Sequence, residues 1–194
     1  CLDAGGFGGG LFLQSCPAIF SGNTISGNDG GDDGGGLSIH NSNTTLTGNT
    51  ISGNSAYSGA GLILVNSDNA TLSRNTISGN TGWAGGGVYL QQSDATLTNN
   101  IIIDNEAESN GGGIYAWDSF PQLRHNTIAG NTGNNGIYVY GGSAVTLINT
   151  ILSGQTIALY AASGNLVNLD ATLWFNNGTD TSGSGTINRS GDHY

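Results

Sequence analysis

Two short acidic runs are the first candidates for chemistry in this chain. Asp29, Asp32 and Asp33 lie in one glycine-rich segment, and Asp104, Glu106 and Glu108 in another. Carboxylate oxygens suit a hard cation, so Asp29, Asp32 and Asp33 are candidates for a weak calcium site. A pair of carboxylates can also cleave a glycosidic bond, provided the two groups sit about 5–9.5 Å apart. Solvated loop carboxylates are the simpler expectation for both runs. His40 and His125 have no evident partners for a triad and are expected to be exposed, so no catalytic residue and no metal ligand is assigned. Cys1 and Cys16 are the only cysteines. A disulfide between them would staple a terminal end of the chain; two unpaired thiols and a lipidated Cys1 are the alternatives.

These residues are positioned by a repeat. The phrase Asn-Thr-Ile-Ser-Gly-Asn, or a near variant, begins at Asn23, Asn49, Asn75, Asn100, Asn126 and Asn149, in steps of 26, 26, 25, 26 and 23 residues. A glycine run keeps the same step, its last glycine falling at Gly10, Gly36, Gly61, Gly87, Gly113 and Gly136. Self-similarity at this period marks a solenoid. Within one coil, Leu37-Ser38-Ile39-His40 alternates apolar and polar residues as a half-buried strand does. Asn41-Ser42-Asn43 is turn chemistry. Thr45-Leu46-Thr47 and Thr50-Ile51-Ser52 read as two more short strands, and Ser55 to Ser58 as a variable loop. The inward residues of later coils are then Leu62, Leu64, Leu72 and Ile77; Val88, Leu90, Leu97 and Ile102; Ile114, Ala116, Leu123 and Ile128; Ile137, Val139, Leu147 and Ile151. So few apolar side chains cannot offset the entropy of ordering one coil, which must therefore stack on its neighbours. Asn tolerates the left-handed backbone of a sharp bend, and identical amides in register can hydrogen-bond along the axis as ladders.

Composition excludes some partners. Arg74, Arg124 and Arg189 are the only basic residues besides histidine, and the formal charge is −10. Nucleic acid and anionic membrane both require basic surface, so neither is expected. No apolar run approaches the roughly 18 residues of a membrane span. The chain contains no methionine, which suggests a mature product or a piece of a longer protein.

The coil length, the three strands per turn and the Asn-bearing bends resemble the right-handed parallel β-helix proteins of the pectate-lyase-like superfamily, which includes many repeat-bearing surface and secreted proteins. The resemblance runs from about residue 8 to residue 176. Left-handed β-helices use a shorter hexapeptide-based coil. The expected fold is all-β, a right-handed parallel β-helix of about seven coils, each of roughly 22–26 residues with three short strands. One domain spans 1–194, with a partial capping coil at 1–16, regular coils at 17–154 and degenerate coils at 155–194. The tail, from Thr172 to Asn177 and then Gly183 to Ile187, is similar to the final coil of bacterial surface β-helices. Pectate lyases of this fold use an acidic calcium cradle on the first sheet and a basic residue as proton acceptor. Here the outward first-sheet positions are Phe12/Gln14, Ser38/His40, Ile63/Val65, Tyr89/Gln91, Tyr115/Trp117 and Tyr138/Tyr140, with no carboxylate or arginine among them. Of the polygalacturonase motifs only Asp32-Asp33 has a counterpart.

The resemblance implies that polysaccharide would lie along the first-sheet face. Tyr89, Tyr115 and Tyr138 should stack there in one column with Trp117 and Tyr140 beside them and Tyr160 continuing the second column, and aromatic rings of this kind suit sugar rings. Laddered aromatics without a ligand are the structural alternative. Outward Thr45/Thr47, Thr71/Ser73 and Thr96/Thr98, and a column of Thr24, Thr50, Thr76, Thr127 and Thr150, are similar to the ice-binding face of some β-solenoids. The leading expectation is a non-enzymatic extracellular stalk, adhesin segment or fibre subunit on a bacterial surface, associating with itself end to end. Carbohydrate binding or cleavage is the alternative, ice binding a remote one.

Overall fold

A computed structural model describes residues 8–191. The chain winds as a right-handed parallel β-solenoid of about seven turns, and every sheet pairs each strand with the equivalent strand one coil later. The first sheet runs from Leu11–Gln14 through Leu37–His40 and Leu62–Val65 to Thr179–Gly183; the second from Ile19–Ser21 to Thr186–Ser190; the third from Thr24–Ser26 to Leu173–Phe175. Leu13, Ile39, Leu64, Leu90, Ala116 and Val139 form one inward column, and Leu46, Leu72, Leu97, Leu123 and Leu147 another. The core is a stack of like residues, all nearly or fully buried. Among the described residues no helix is long and apolar enough to cross a membrane.

Three ladders of side-chain hydrogen bonds line the bends. In the first, the backbone N–H and the Nδ2 of Asn49 both donate to Asn75 Oδ1, at 2.9 and 3.0 Å, and Asn75 repeats this to Asn100 and Asn100 to Asn126. Asn28, Asn54, Asn80, Asn105 and Asn131 form the second ladder in the same way. The third uses serine: Ser42, Ser67, Ser93 and Ser119 each donate a backbone N–H to the next serine's Oγ at 3.0–3.1 Å. The buried groups that a bend leaves unpaired are thereby satisfied by the neighbouring coil.

The left-handed bend residues are not the ladder asparagines, as the sequence suggested, but the residues just before them. Gly48, Arg74, Asn99 and His125 carry φ of +55° to +63°, which leaves Asn49, Asn75, Asn100 and Asn126 to turn their amides inward. His125 therefore sits in a bend rather than a sheet. The glycines Gly36, Gly61, Gly87 and Gly113 have a different reason. Their φ is not in the left-handed region; instead a Cβ on Gly87 would lie 2.6 Å from the Gly113 carbonyl oxygen one coil on.

Three further expectations are corrected. The sixth repeat begins one residue later than Asn149: Thr127 pairs with Ile151 and Ile128 with Leu152, so this coil is shorter than the ones before it. Leu152 is the buried core residue, and Ile151 is 37% exposed. Thr150 leaves the outward threonine column and takes the buried ladder position, its Oγ1 donating to Ile148 O at 3.2 Å. The segment read as a variable loop forms a fourth, three-stranded sheet of Ser55–Ser58, Thr81–Ala84 and Glu106–Ala107. Its inward residues are Ala56, Gly82 and Ala107, and a Cβ on Gly82 would lie 2.7 Å from the Ala56 carbonyl oxygen. Cys1 lies outside the described residues, and with it the pairing expected of Cys1 and Cys16; the Cys16 N–H donates to Ser42 Oγ at the start of the serine ladder.

The last described coil changes the character of the core. Arg189 follows Leu169 in the second-sheet core column, and Thr181 follows Leu159 in the first. The Arg189 guanidinium lies 5.2 Å over the ring of Trp174, itself buried, and donates to Thr181 Oγ1 at 2.7 Å. Polar groups here stand in the columns that apolar residues fill elsewhere.

Candidate functional site

The outward columns of the first sheet carry the aromatic residues singled out from the sequence. In register, Phe12, Ser38, Ile63, Tyr89, Tyr115, Tyr138 and Tyr160 follow one another, with His40, Val65, Gln91, Trp117 and Tyr140 alongside. Tyr160 thus continues the first column, not the second. That column is also less open than alternation implied. Phe12, Ser38 and Ile63 are buried and the tyrosines half-buried, because the bend glycine before each strand folds over it: Gly59 packs on Ile63, Gly85 on Tyr89 and Gly111 on Tyr115.

Within the column the rings stack on one another. Tyr89 and Tyr115 are 4.6 Å apart at 6°, Tyr115 and Tyr138 5.0 Å at 46°, and Tyr138 and Tyr160 5.4 Å at 16°. Mutual stacking covers the ring faces that a sugar would use and leaves mainly edges and hydroxyls. Burial raises the Tyr89 and Tyr138 hydroxyls above the ordinary phenol range and pushes Tyr115 up to about 12, with neighbouring phenols adding to each shift. Tyr89, Tyr115 and Tyr138 therefore keep their hydroxyl protons to higher pH than a free phenol does. Trp117 and Tyr140, beside it, are 37% and 47% exposed. Where the loops shorten, the column opens into a groove of about 470 Å³ lined by Asn110, Asn134, Asn135, Thr156, Tyr138 and Tyr160.

At the other end of the face, His40 Nε2 lies 3.0 Å from Ser38 Oγ, and the His40 ring meets Phe12 edge-on at 5.1 Å. Burial lowers the affinity of His40 for a proton, and nearby Asp33 opposes that effect. Asp33 is itself raised by burial, against the pull of His40 and a hydrogen bond with Ser58. The set has the residue types of a hydrolytic triad, but Ser38 is fully buried, so its hydroxyl has no approach for a substrate. His40 is half-buried rather than exposed as the sequence suggested. Asp29 and Glu106 fall in one column, three coil steps apart through Ser55 and Thr81, which separates the two acidic runs by about 14 Å. Among the described residues no three His, Cys, Asp or Glu side chains converge as a metal cluster would.

The threonine columns of the second sheet are in register as expected, and they bond to one another: Thr71 Oγ1 donates to Thr45 Oγ1 at 3.2 Å, and the hydroxyls of Thr47 and Ser73 are 3.0 Å apart. Reading the sequence alone misses a second aromatic feature. Tyr57 and Trp83, one coil apart on the fourth sheet, stack at 5.0 Å with their planes 3° from parallel. Their spacing of one full repeat is the available signal, hidden in a segment without apolar alternation.

Comparison with known proteins gives one positive finding, a match of residues 4–157 to the family model described as the right handed beta helix region. Neither the curated proteins nor the solved structures give a match to this chain. The matched span is most of the sequence and carries the repeat, the ladders and the stacked sheets described above, so the chain belongs to the right-handed β-helix family.

Proposed function

We propose that the chain is a rigid, non-catalytic scaffold segment on the outside of a bacterial cell, a stalk or adhesin segment that holds its faces at fixed spacing. The observation that carries this reading is the set of three buried ladders, which tie the regular coils to one another in addition to the sheets. A solenoid built of nearest-neighbour contacts is as stiff as those contacts make it. Association with a second copy end to end would bring another coil against Arg189 and Thr181, which stand in the core columns of the last described coil. Immunogold electron microscopy of intact source cells tests the placement: label on the outer surface is expected, and label confined to the cytoplasm contradicts it.

A second reading, polysaccharide binding, is favoured by the exposed Trp117 and Tyr140 and by the amide- and hydroxyl-lined groove next to Tyr138 and Tyr160. Neutral hydroxyls and amides suit sugar hydroxyls, and the open Trp117 ring suits a sugar face. Affinity electrophoresis in polysaccharide-containing gels should show retardation that Trp117→Ala abolishes while the melting temperature stays unchanged. Equal retardation of the variant would reject this face.

A further inference from the structure

We infer that the exposed face of the fourth sheet binds a small organic ammonium cation. Tyr57 and Trp83 are 53% and 44% exposed, the most open pair of stacked rings among the described residues. Each ring covers one face of the other and turns its second face away from the stack. Before Tyr57 the chain presents Gly31, whose carbonyl accepts the Tyr57 N–H at 2.7 Å and which has no side chain to cover the ring. After Trp83 it presents Glu108, whose N–H donates to the Gly82 carbonyl at 2.9 Å. Asp29, bridged to Ser55, closes the other side. Together these residues line a shallow groove of about 390 Å³ with carboxylates on both sides of the aromatic stack and no basic side chain.

Each alternative occupant fits less well. A bare metal ion would need convergent oxygen ligands, whereas the two lining carboxylates flank the stack rather than meeting. An acidic sugar would be repelled by Asp29 and Glu108. A cation attached to an apolar body fits both parts of the groove: the ring faces attract positive charge through their quadrupole, and a weakly hydrated ammonium loses little on leaving water. The residues differ from those of the polysaccharide face, so the two readings stand or fall separately.

The test is a titration of the whole chain with choline and with 3,3-dimethylbutan-1-ol, its neutral carbon counterpart, following the Trp83 indole resonance by NMR. Choline is expected to shift it with a Kd on the order of millimolar, about tenfold tighter than the neutral alcohol. Trp83→Ala should abolish the response at the remaining signals of the groove, Glu108→Gln should weaken it several-fold, and Trp117→Ala should leave it unchanged. Trp83→Phe, which keeps a ring, should retain choline binding and serves if the alanine variant fails to fold. Equal affinity for the neutral alcohol, no response to choline, or a response that survives Trp83→Ala in a folded chain would each overturn the assignment.

Discussion

Asn75 serves two coils at once. Its Oδ1 accepts from the backbone and side chain of Asn49, and its own amide donates to Asn100 Oδ1 and, at 2.9 Å, to the Leu46 carbonyl. Asn75→Ala would strand several buried polar groups, each costing about 1–3 kcal/mol. We expect a loss of at least about 3 kcal/mol in denaturant unfolding, against under about 1 kcal/mol for Asn23→Ala at the exposed end of the same ladder. The second ladder contains a natural defect. Gln155 replaces asparagine, its Nε2 reaches Ile128 O at 3.2 Å, and its Oε1 is buried without a partner. The longer side chain fits because Gly136 leaves space where a Cβ would collide with it. Gln155→Asn should return the acceptor to the ladder and raise stability by about 1 kcal/mol; a lower denaturation midpoint would show that the shortened coil needs the longer side chain. Glycine positions divide by cause. Gly87→Ala drives a methyl into the next coil and should cost about 1–3 kcal/mol or more. Gly48, with φ of +63° and open space around it, should accept Asn at a much smaller cost, as Asn99 does in the same bend column.

At the scale of strands and columns, the tyrosine ladder makes stability depend on alkaline pH. The folded-state values are raised, so the stabilisation is complete below the ordinary phenol range near 10 and disappears as pH rises through that range toward the folded value of about 12 at Tyr115. Melting temperature measured from pH 8 upward should stay level to about 10 and then fall, and Tyr89→Phe with Tyr115→Phe should flatten the fall. A decline that persists in the double variant would place the alkaline sensitivity elsewhere. The strands themselves are legible in the sequence because Leu46, Leu72 and Leu97, or Ile51, Ile77 and Ile102, return at one step between polar neighbours. The fourth sheet is not, because its inward residues Ala56, Gly82 and Ala107 give no hydrophobic signal. The repeat phrase points Ile151 inward only because the coil shortens there and the phrase slips by one position. The aromatic face is legible but its openness is not: the roof of bend glycines and the stacking of Tyr89 on Tyr115 arise from how coils lie on each other, which alternation along one strand does not encode.

For the whole molecule, the repeat dictates a rod whose contacts are all between neighbouring coils, and the departures from the repeat mark where the rod changes. Ladder steps of 25 and 26 give way to 24 from Ser119 and then 22 from Ser143, and in the last described coil the core columns carry Thr181 and Arg189, the latter over Trp174. The regular coils are therefore expected to be the most protected part. Amide hydrogen exchange tests this most directly. The backbone N–H groups of Asn49, Asn75, Asn80, Ser67 and Ser93, each donated to a side chain one coil on, should exchange only through global unfolding, with one common protection free energy. Exchange of these groups as fast as the exposed loop amides, with the sheet amides still protected, would contradict the claim that buried side-chain ladders lock the coils together.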